Sequence, residues 1–428
     1  MITKLAWKNT WFKPLNTTLS IILLTASVAI ITVLILLQKQ FEEKFSSNAD
    51  GIDLVLGAQG SPLQLILSSV YQVDAPTGNI DYQEAKKWMM NPFVKTAIPL
   101  AFGDNYHGFK IVGTTTGYME KYAAKVVSGK AFDKDFEVVV GSEVAKKLNL
   151  KTGDKFFGSH GDAEEGEVHE EHAYHIVGVL SETGKVIDNL ILSNIQSVWA
   201  MHDSHEHGEA EMHDHEGHDH NHEGHEHDHD HAEADHHHDA VVISEEGKEI
   251  TAVLLKFRNK MGIVTWPRMI PQNTKMQAAS PAIEINRLFT LFGVGLQALQ
   301  YLAYGIMLIS GISIFIALYN TLKERKYEFA LLRVNGATRF QLLYLVVIES
   351  LILCVLGYLS GTIVGRVALL FISGSSEEEF KMTFNPFEFV WEKEGFLFLL
   401  TIFVGVLAAV IPAVKAYKLN ISKTLANA

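Results

Sequence analysis

Four long apolar runs dominate what this chain can become. The first, Thr17 to Leu37, carries no charge in 21 residues. At about 1.5 Å per residue, a helix of that length crosses a hydrocarbon core of about 30 Å. The second, Leu288 to Leu322, is uncharged between Arg287 and Lys323. As a helix it would be about 50 Å long, which exceeds the bilayer and predicts a stalk projecting above the membrane. The third, Phe340 to Phe371, is interrupted by Glu349 and Arg366, and the fourth, Phe396 to Val414, holds Pro412 near its end. In lipid each backbone N–H and C=O needs a partner, so these runs are read as four transmembrane helices. Lys4, Lys8 and Lys13 before the first run are compatible with a signal peptide. A cleavable apolar region is only about 7–15 residues long, so an uncleaved anchor is expected.

Basic residues orient the spans. The start carries Lys4, Lys8 and Lys13. The loop between the second and third spans carries Lys323, Arg325, Lys326, Arg333 and Arg339, and the tail carries Lys415, Lys418 and Lys423. The loop between the third and fourth spans instead holds Glu377, Glu378, Glu379, Glu388, Glu392 and Glu394. Both termini and the middle loop are therefore expected in the cytoplasm, with residues 38–287 outside. Gly357, Gly361 and Gly365 fall four apart in the third span, a spacing that permits close helix approach. That approach could be within one chain or between two. Glu349 and Arg366 either mark function or reach out to the headgroups.

The outside segment reads as a mixed α/β domain. Short β-rich runs at Phe109–Gly113 and Glu137–Gly141 are followed by a short helix with Ser142 as its candidate cap. Lys155–Phe157 and His175–Leu180 resemble the two sides of a hairpin. Asn189–Ser193 and Ala252–Phe257 are further strands, and Tyr82–Met90 is a helix ended by Asn91-Pro92.

The formal net charge of −13 is a local property. Between His202 and Asp239 stand 15 of the 20 histidines and 14 acidic residues, with no Lys or Arg; without those acids the chain would carry +1. No basic, aromatic-studded face suggests nucleic acid. Residues 201–239 lack a pattern that could bury apolar surface, and are expected as a disordered excursion between two strands. The repeat is His-acid-His. Candidate ligands are His205, His207, His213, His215, His218, His220, His222, His225, His227, His229, His231, His236, His237 and His238. Neutral imidazole with carboxylate binds Zn²⁺, Cu²⁺ or Ni²⁺; zinc is favoured because no thiol or methionine cluster points to Cu⁺. Binding should be multiple, exchangeable and pH-sensitive. His160, His169, His172 and His175 form a second group and His107 stands alone, with surface or core roles as open as ligation. Cys354 is the only cysteine, which excludes an intrachain disulfide.

The stretch Asn320 to Thr338 (NTLKERKYEFALLRVNGAT) resembles the signature between spans two and three of the FtsX-like/MacB-like ABC permease family. Glu349 matches an acid of that family's third span, and Gly357 and Gly361 match its glycines. Leu5-Ala6-Trp7-Lys8-Asn9 resembles its amphipathic elbow. Val139–Ser142, Leu150–Asp154 and Ile176–Val179 resemble its outer domain. One departure is the tail, where Ile421-Ser422-Lys423 lacks the family's proline. The resemblance implies a permease subunit working with two copies of an ABC ATPase and with a second permease copy or paralogue. It implies ATPase contact through Glu324, Arg325, Glu328, Leu331 and Arg333, with Gly336 giving the turn. Gly357, Gly361, Gly365 and Glu349 are assigned to membrane packing. The chain has no G-x-x-x-x-G-K-[ST] loop, so ATP is expected on the partner subunit. No H-E-x-x-H or nucleophile–base pattern suggests an enzyme.

The expected fold class is an integral membrane α-helical protein of four transmembrane helices with a long stalk helix. A large mixed α/β extracytoplasmic domain is inserted between helices 1 and 2. The expected domains are 1–37 (elbow and first span), 38–287 (MacB-like domain with the histidine loop 201–239) and 288–428 (spans 288–322, 340–371 and 396–414, coupling loop 323–339). The expected place is the inner membrane, in contact with lipid, with the large domain periplasmic. The leading functional expectation is a MacB-like (type VII) system in zinc handling, with a periplasmic or outer-membrane metal-binding partner. The alternatives are lipoprotein release or small-amphiphile export, and control of an envelope hydrolase without transport.

Overall fold

A computed structural model describes residues 2–12, 14–159, 172–201, 245–380 and 384–419. The chain forms two compact units, Met1–Glu43 with Leu288–Ala428, and Lys44–Arg287.

The first unit begins with a short helix, Ile2–Thr10. Four helices long and apolar enough to cross a membrane occupy Pro14–Ala49, Pro281–Glu324, Arg339–Gly374 and Trp391–Tyr417; the third continues as helix to Phe380. Each helix outruns its apolar stretch because nothing in the flanks breaks it. No glycine or proline lies between Pro14 and Gly51, and Gln38–Lys44 is rich in good helix formers. Pro281 stands at the first position of its helix, where its missing N–H is harmless. Pro412 sits inside the last helix.

The first and third spans are in direct backbone contact. A Cβ on Gly357 would lie 2.5 Å from Leu24, one on Gly361 would lie 2.6 Å from Val28, and one on Gly365 would lie 2.9 Å from the Ala29 carbonyl. Hydroxyl pairs cross the bundle beside them. Thr25 and Ser360 are 2.6 Å apart, Ser20 and Ser313 are 2.9 Å apart, and Ser350 donates to the Gly405 carbonyl at 2.6 Å. Without a hydrophobic drive in lipid, small residues and such hydrogen bonds hold helices together.

In the second unit a ten-stranded mixed sheet is laid out in the order β12-β1-β11-β3-β4-β9-β6-β8-β5, with β7 on β8. These strands are β1 Leu54–Ala58, β3 Val94–Tyr106, β4 Phe109–Thr114, β5 Val126–Gly129, β6 Glu137–Val140, β7 Lys155–Phe156, β8 Tyr174–Leu180, β9 Ile191–Asn194, β11 Ala252–Phe257 and β12 Met276–Ala279. A separate pair joins β2 Ile80–Asp81 to β10 Glu249–Ile250. The expected hairpin is present, with Lys155 opposite His175 and Phe156 opposite Tyr174. The 13-residue β3 serves both halves of the sheet: its first part pairs β11, and its second, from Ala101 on, pairs β4 with a register shift between Phe102 and Asn105. One core gathers Leu56, Leu255, Phe257, Trp266 and Ile270; another gathers Ile111, Val138, Phe156, Tyr174 and Ile191.

Two expectations need correction. Ser142 is the first helical residue, and Gly141 takes the cap position without a side-chain bond. The histidine segment does not leave from a strand: residues 195–201 are helical, with Met201 buried.

The C-terminal turn of Pro14–Ala49 has carbonyls without intrahelical donors. Lys121 Nζ donates to one of them, that of Asn48, and Tyr71 Oη adds a bond to the Phe45 carbonyl one turn earlier at 2.8 Å. Burial lowers the Lys121 amine to about 7, with the Lys185 charge adding to the effect and Asp50 opposing it. The unfolded chain then holds this proton up to about pH 10.5 while the folded chain releases it, so folding stability rises with pH between about 7 and 10.5. Urea denaturation at pH 7 and pH 10 should show a larger gain for the wild type than for Lys121→Met.

Candidate functional site

Between the second and third spans the chain makes a nine-residue helix, Lys326–Val334. Arg325 leaves helical geometry at φ −96° and ψ 19°, which separates this helix from the span before it. Its end is a left-handed turn at Gly336, φ +94°, a conformation that favours glycine. There Ala337 N donates to the Leu332 carbonyl at 3.0 Å, and Arg333 Nη1 donates to the Ala337 carbonyl at 2.6 Å. Thr338 then starts the third span through a reciprocal cap. Its N–H donates to Gln341 Oε1 at 2.7 Å, and Gln341 N donates to Thr338 Oγ1 at 3.2 Å. The T-x-x-Q spacing is the sequence signal for that cap, and it was not among the expected features.

The short helix presents one face to the bundle and one away from it. Phe329 and Ala330 are buried, while Tyr327, Leu331 and Val334 are exposed at 51%, 47% and 58%. Those three stand at i, i+4 and i+7, one stripe of a helix. Leu331 belongs to the predicted contact set; Tyr327 and Val334 do not, although their spacing from Leu331 is the helical one. The predicted Glu324 and Glu328 are also exposed, as is Gly336. The Arg325 side chain is largely covered, at 11% exposed, and Arg333 is half-buried against the turn that ends the helix. Arg325 Nε donates to Glu328 Oε2 at 2.7 Å, and its guanidinium lies 5.2 Å from the Phe12 ring.

Glu349 lies in the third span and is 5% exposed. Its Oε1 accepts from Asn9 Nδ2 on the N-terminal helix at 2.7 Å. Arg366 also stays inside. Its Nη2 meets Glu394 Oε2 at 2.7 Å, and its Nη1 donates to the Pro386 and Glu388 carbonyls at 2.9 Å each. Glu394 is fully buried, and its Oε1 accepts from Val390 N at 3.2 Å. Gln40 of the first span bonds both ways with the Asn385 backbone at 2.7 Å, and Lys39 pairs with Glu388 at 2.9 Å. Each of Glu349 and Arg366 is thus held by a named partner within the bundle. Gly357, Gly361 and Gly365 lie against the first span of the same chain. The second span is less enclosed; an apolar groove of about 680 Å³ between it and the fourth is lined by residues such as Met307, Phe315, Leu400 and Leu407.

The fourteen histidines assigned to metal, His205 to His238, lie outside the described residues, as do His160 and His169. Among the described residues no cluster of three or more His, Cys, Asp or Glu is placed to hold a metal. His172 stacks on Phe136 at 4.7 Å, His175 stands exposed on β8, and His107 occupies a turn at φ +48°.

Two family models match. One, the FtsX-like permease C-terminal domain, covers residues 301–421; the other, the MacB-like periplasmic core domain, covers residues 15–213. The chain belongs to the FtsX-like/MacB-like ABC permease family. Its four apolar helices and its MacB-like periplasmic core domain fit a multi-pass inner-membrane protein, and its family is one of transport permeases. Permeases of this family work with an ABC ATPase. Among solved structures, the periplasmic region of MacB from Actinobacillus actinomycetemcomitans is 8% identical, covering 58% of this chain and 97% of that one at a TM-score of 0.35. The extracellular domain of the noncanonic ABC-type transporter YknZ from Gram-positive bacteria is 12% identical, covering 53% and 99% at a TM-score of 0.30. No curated protein matches the chain.

Losing one partner of a buried ion pair costs about 3–5 kcal/mol, whereas replacing both by apolar groups is close to neutral. Arg366→Met should therefore lower the thermal midpoint of the detergent-solubilised permease, and the added Glu394→Leu should recover most of the loss.

Proposed function

We propose that this permease transmits the ATP-driven closure of a separate ATPase pair to its periplasmic domain. Both termini and the Lys326–Val334 helix face the cytoplasm, as the distribution of Lys and Arg requires. The observation that carries the reading is the exposed Tyr327–Leu331–Val334 stripe on a short helix held between two spans. An apolar helix face of this kind, flanked by exposed Glu324 and Glu328, suits a groove on a partner. The complex contains two ATPase copies and a second permease, so that a change of state at the nucleotide sites biases both periplasmic domains. Leu331→Asp with Val334→Asp should abolish recovery of the ATPase from native membranes while leaving the permease folded. Undiminished recovery would remove this helix as the contact.

The cargo side of the proposal is a divalent metal, with zinc favoured. Its support is the sequence of the segment from His202 to Asp239, where 15 imidazoles alternate with carboxylates and no Lys or Arg competes. Outside the membrane such a segment captures or senses the ion and releases it as imidazoles protonate. Cells lacking residues 202–239 of this protein should change in zinc content or in growth at limiting or excess zinc. Identical behaviour across that range would leave the metal reading without support and favour an amphiphile or lipoprotein as cargo.

A further inference from the structure

The apolar groove between the second and fourth spans continues into a second cavity. That cavity, of about 360 Å³, shares Tyr304, Phe396 and Leu400 with the groove, so the one opens into the other. Beyond Tyr304 the groove is lined only by apolar residues. The second cavity adds polar groups: Gln38 from the first span, Gln300 from the second, and Glu392 and Lys393 at the start of the fourth helix. Gln300 Nε2 donates to Tyr304 Oη at 2.9 Å, which places a hydrogen-bonded pair where the two cavities join. Glu392 and Lys393 are both exposed. The groove therefore has an amphipathic profile, with one acid and one base at its mouth and hydrocarbon along its length. The mouth lies at the end of the bundle away from Lys326–Val334.

Two dimensions decide what fits. From Tyr304 to Phe315 a helix rises about 17 Å, close to the ~15 Å of half a hydrocarbon core. Spread over that length, the groove's volume of about 680 Å³ gives a section of about 40 Å², against about 80 Å² for a helix 10 Å across. A span of another protein is too wide to sit inside it, whereas extended acyl chains are not. The shape has a cause in the sequence. Gly311 is buried on the groove's floor, where an added Cβ would lie 2.7 Å from Val404, so the two spans pack closely there. The exposed side chains of Leu308, Ile312 and Leu407 stand around that floor.

We propose that this groove binds one glycerophospholipid with a zwitterionic headgroup. Its acyl chains lie between the second and fourth spans, its phosphate meets Lys393 and its ammonium meets Glu392. The apolar length supplies the affinity, because it matches one leaflet of hydrocarbon. The mouth supplies the selectivity: an acid beside a base suits a headgroup carrying both signs, while a purely anionic headgroup meets the Glu392 charge as a repulsion. The site depends neither on the ATPase contact nor on the cargo.

Native mass spectrometry of the full chain tests it, after delipidation in detergent and addition of either phosphatidylethanolamine or phosphatidylglycerol. The wild type should hold one phosphatidylethanolamine, and bind it about five-fold or more tighter than phosphatidylglycerol. Glu392→Gln should narrow that preference, and Lys393→Gln should weaken both lipids; these side chains are exposed, so the packed bundle is left intact. Ile312→Trp with Leu407→Trp should fill the groove and weaken both lipids about five-fold or more. Leu359→Trp, at an exposed position of the third span outside the groove, should bind as the wild type does. Equal affinity for the two lipids, or a preference untouched by Glu392→Gln, would overturn the headgroup assignment. Full binding by the double tryptophan variant would overturn the site itself. Crosslinking of two copies through Ile312→Cys in native membranes would overturn it in favour of a second permease covering this face.

Discussion

The close approach of the first and third spans governs the membrane unit. Gly357, Gly361 and Gly365 present bare backbone to Leu24, Val28 and Ala29, and a single added methyl group would meet atoms at 2.9 Å or less. In a bilayer, where lipid chains are as apolar as leucine, such contact replaces the hydrophobic effect as the source of specificity. It also fixes the register of the two helices. With the middle of the pair locked, polar groups at either end can be shared between elements distant in sequence.

Each end of this pair uses that register differently. At one end the connection before the fourth helix is held by Gln40 through Asn385, by Lys39 through Glu388, and by Arg366 through two carbonyls and Glu394. Nearly every demand there is met, which makes it a rigid fastening. The other end has Asn9 on Glu349, and the Arg325 guanidinium with its buried Nη1 unpartnered. A fully satisfied buried network rigidifies the elements it joins, while an unpaired buried polar group is costly.

The periplasmic domain shows a similar division of labour. Its sheet is one continuous layer, yet β3 changes partner midway and separates two cores. The helical turn at Phe45 and Asn48 already belongs to this unit; there Lys121 fills the Asn48 carbonyl that helix geometry leaves open, and Tyr71 adds a bond at the Phe45 carbonyl.

Much of this architecture is legible in the residues alone. Hydropathy and charge bias mark the spans, because burial of a helix in lipid depends on local composition. The Lys323–Thr338 stretch points to the family, and Gly336 to a turn, because a left-handed backbone favours glycine. Pattern fails where three-dimensional company decides. Arg325 has the look of a surface charge and is largely covered, while Tyr327 and Val334, absent from the expected contacts, form the exposed face. Glu349 stands out as an acid in a span, but its partner Asn9 is 340 positions away. The sequence by itself determined the four spans and the family, since both are written in neighbouring residues. Only tertiary structure decided which charges pair and which face of the short helix is free, since those depend on how closely separate helices pack.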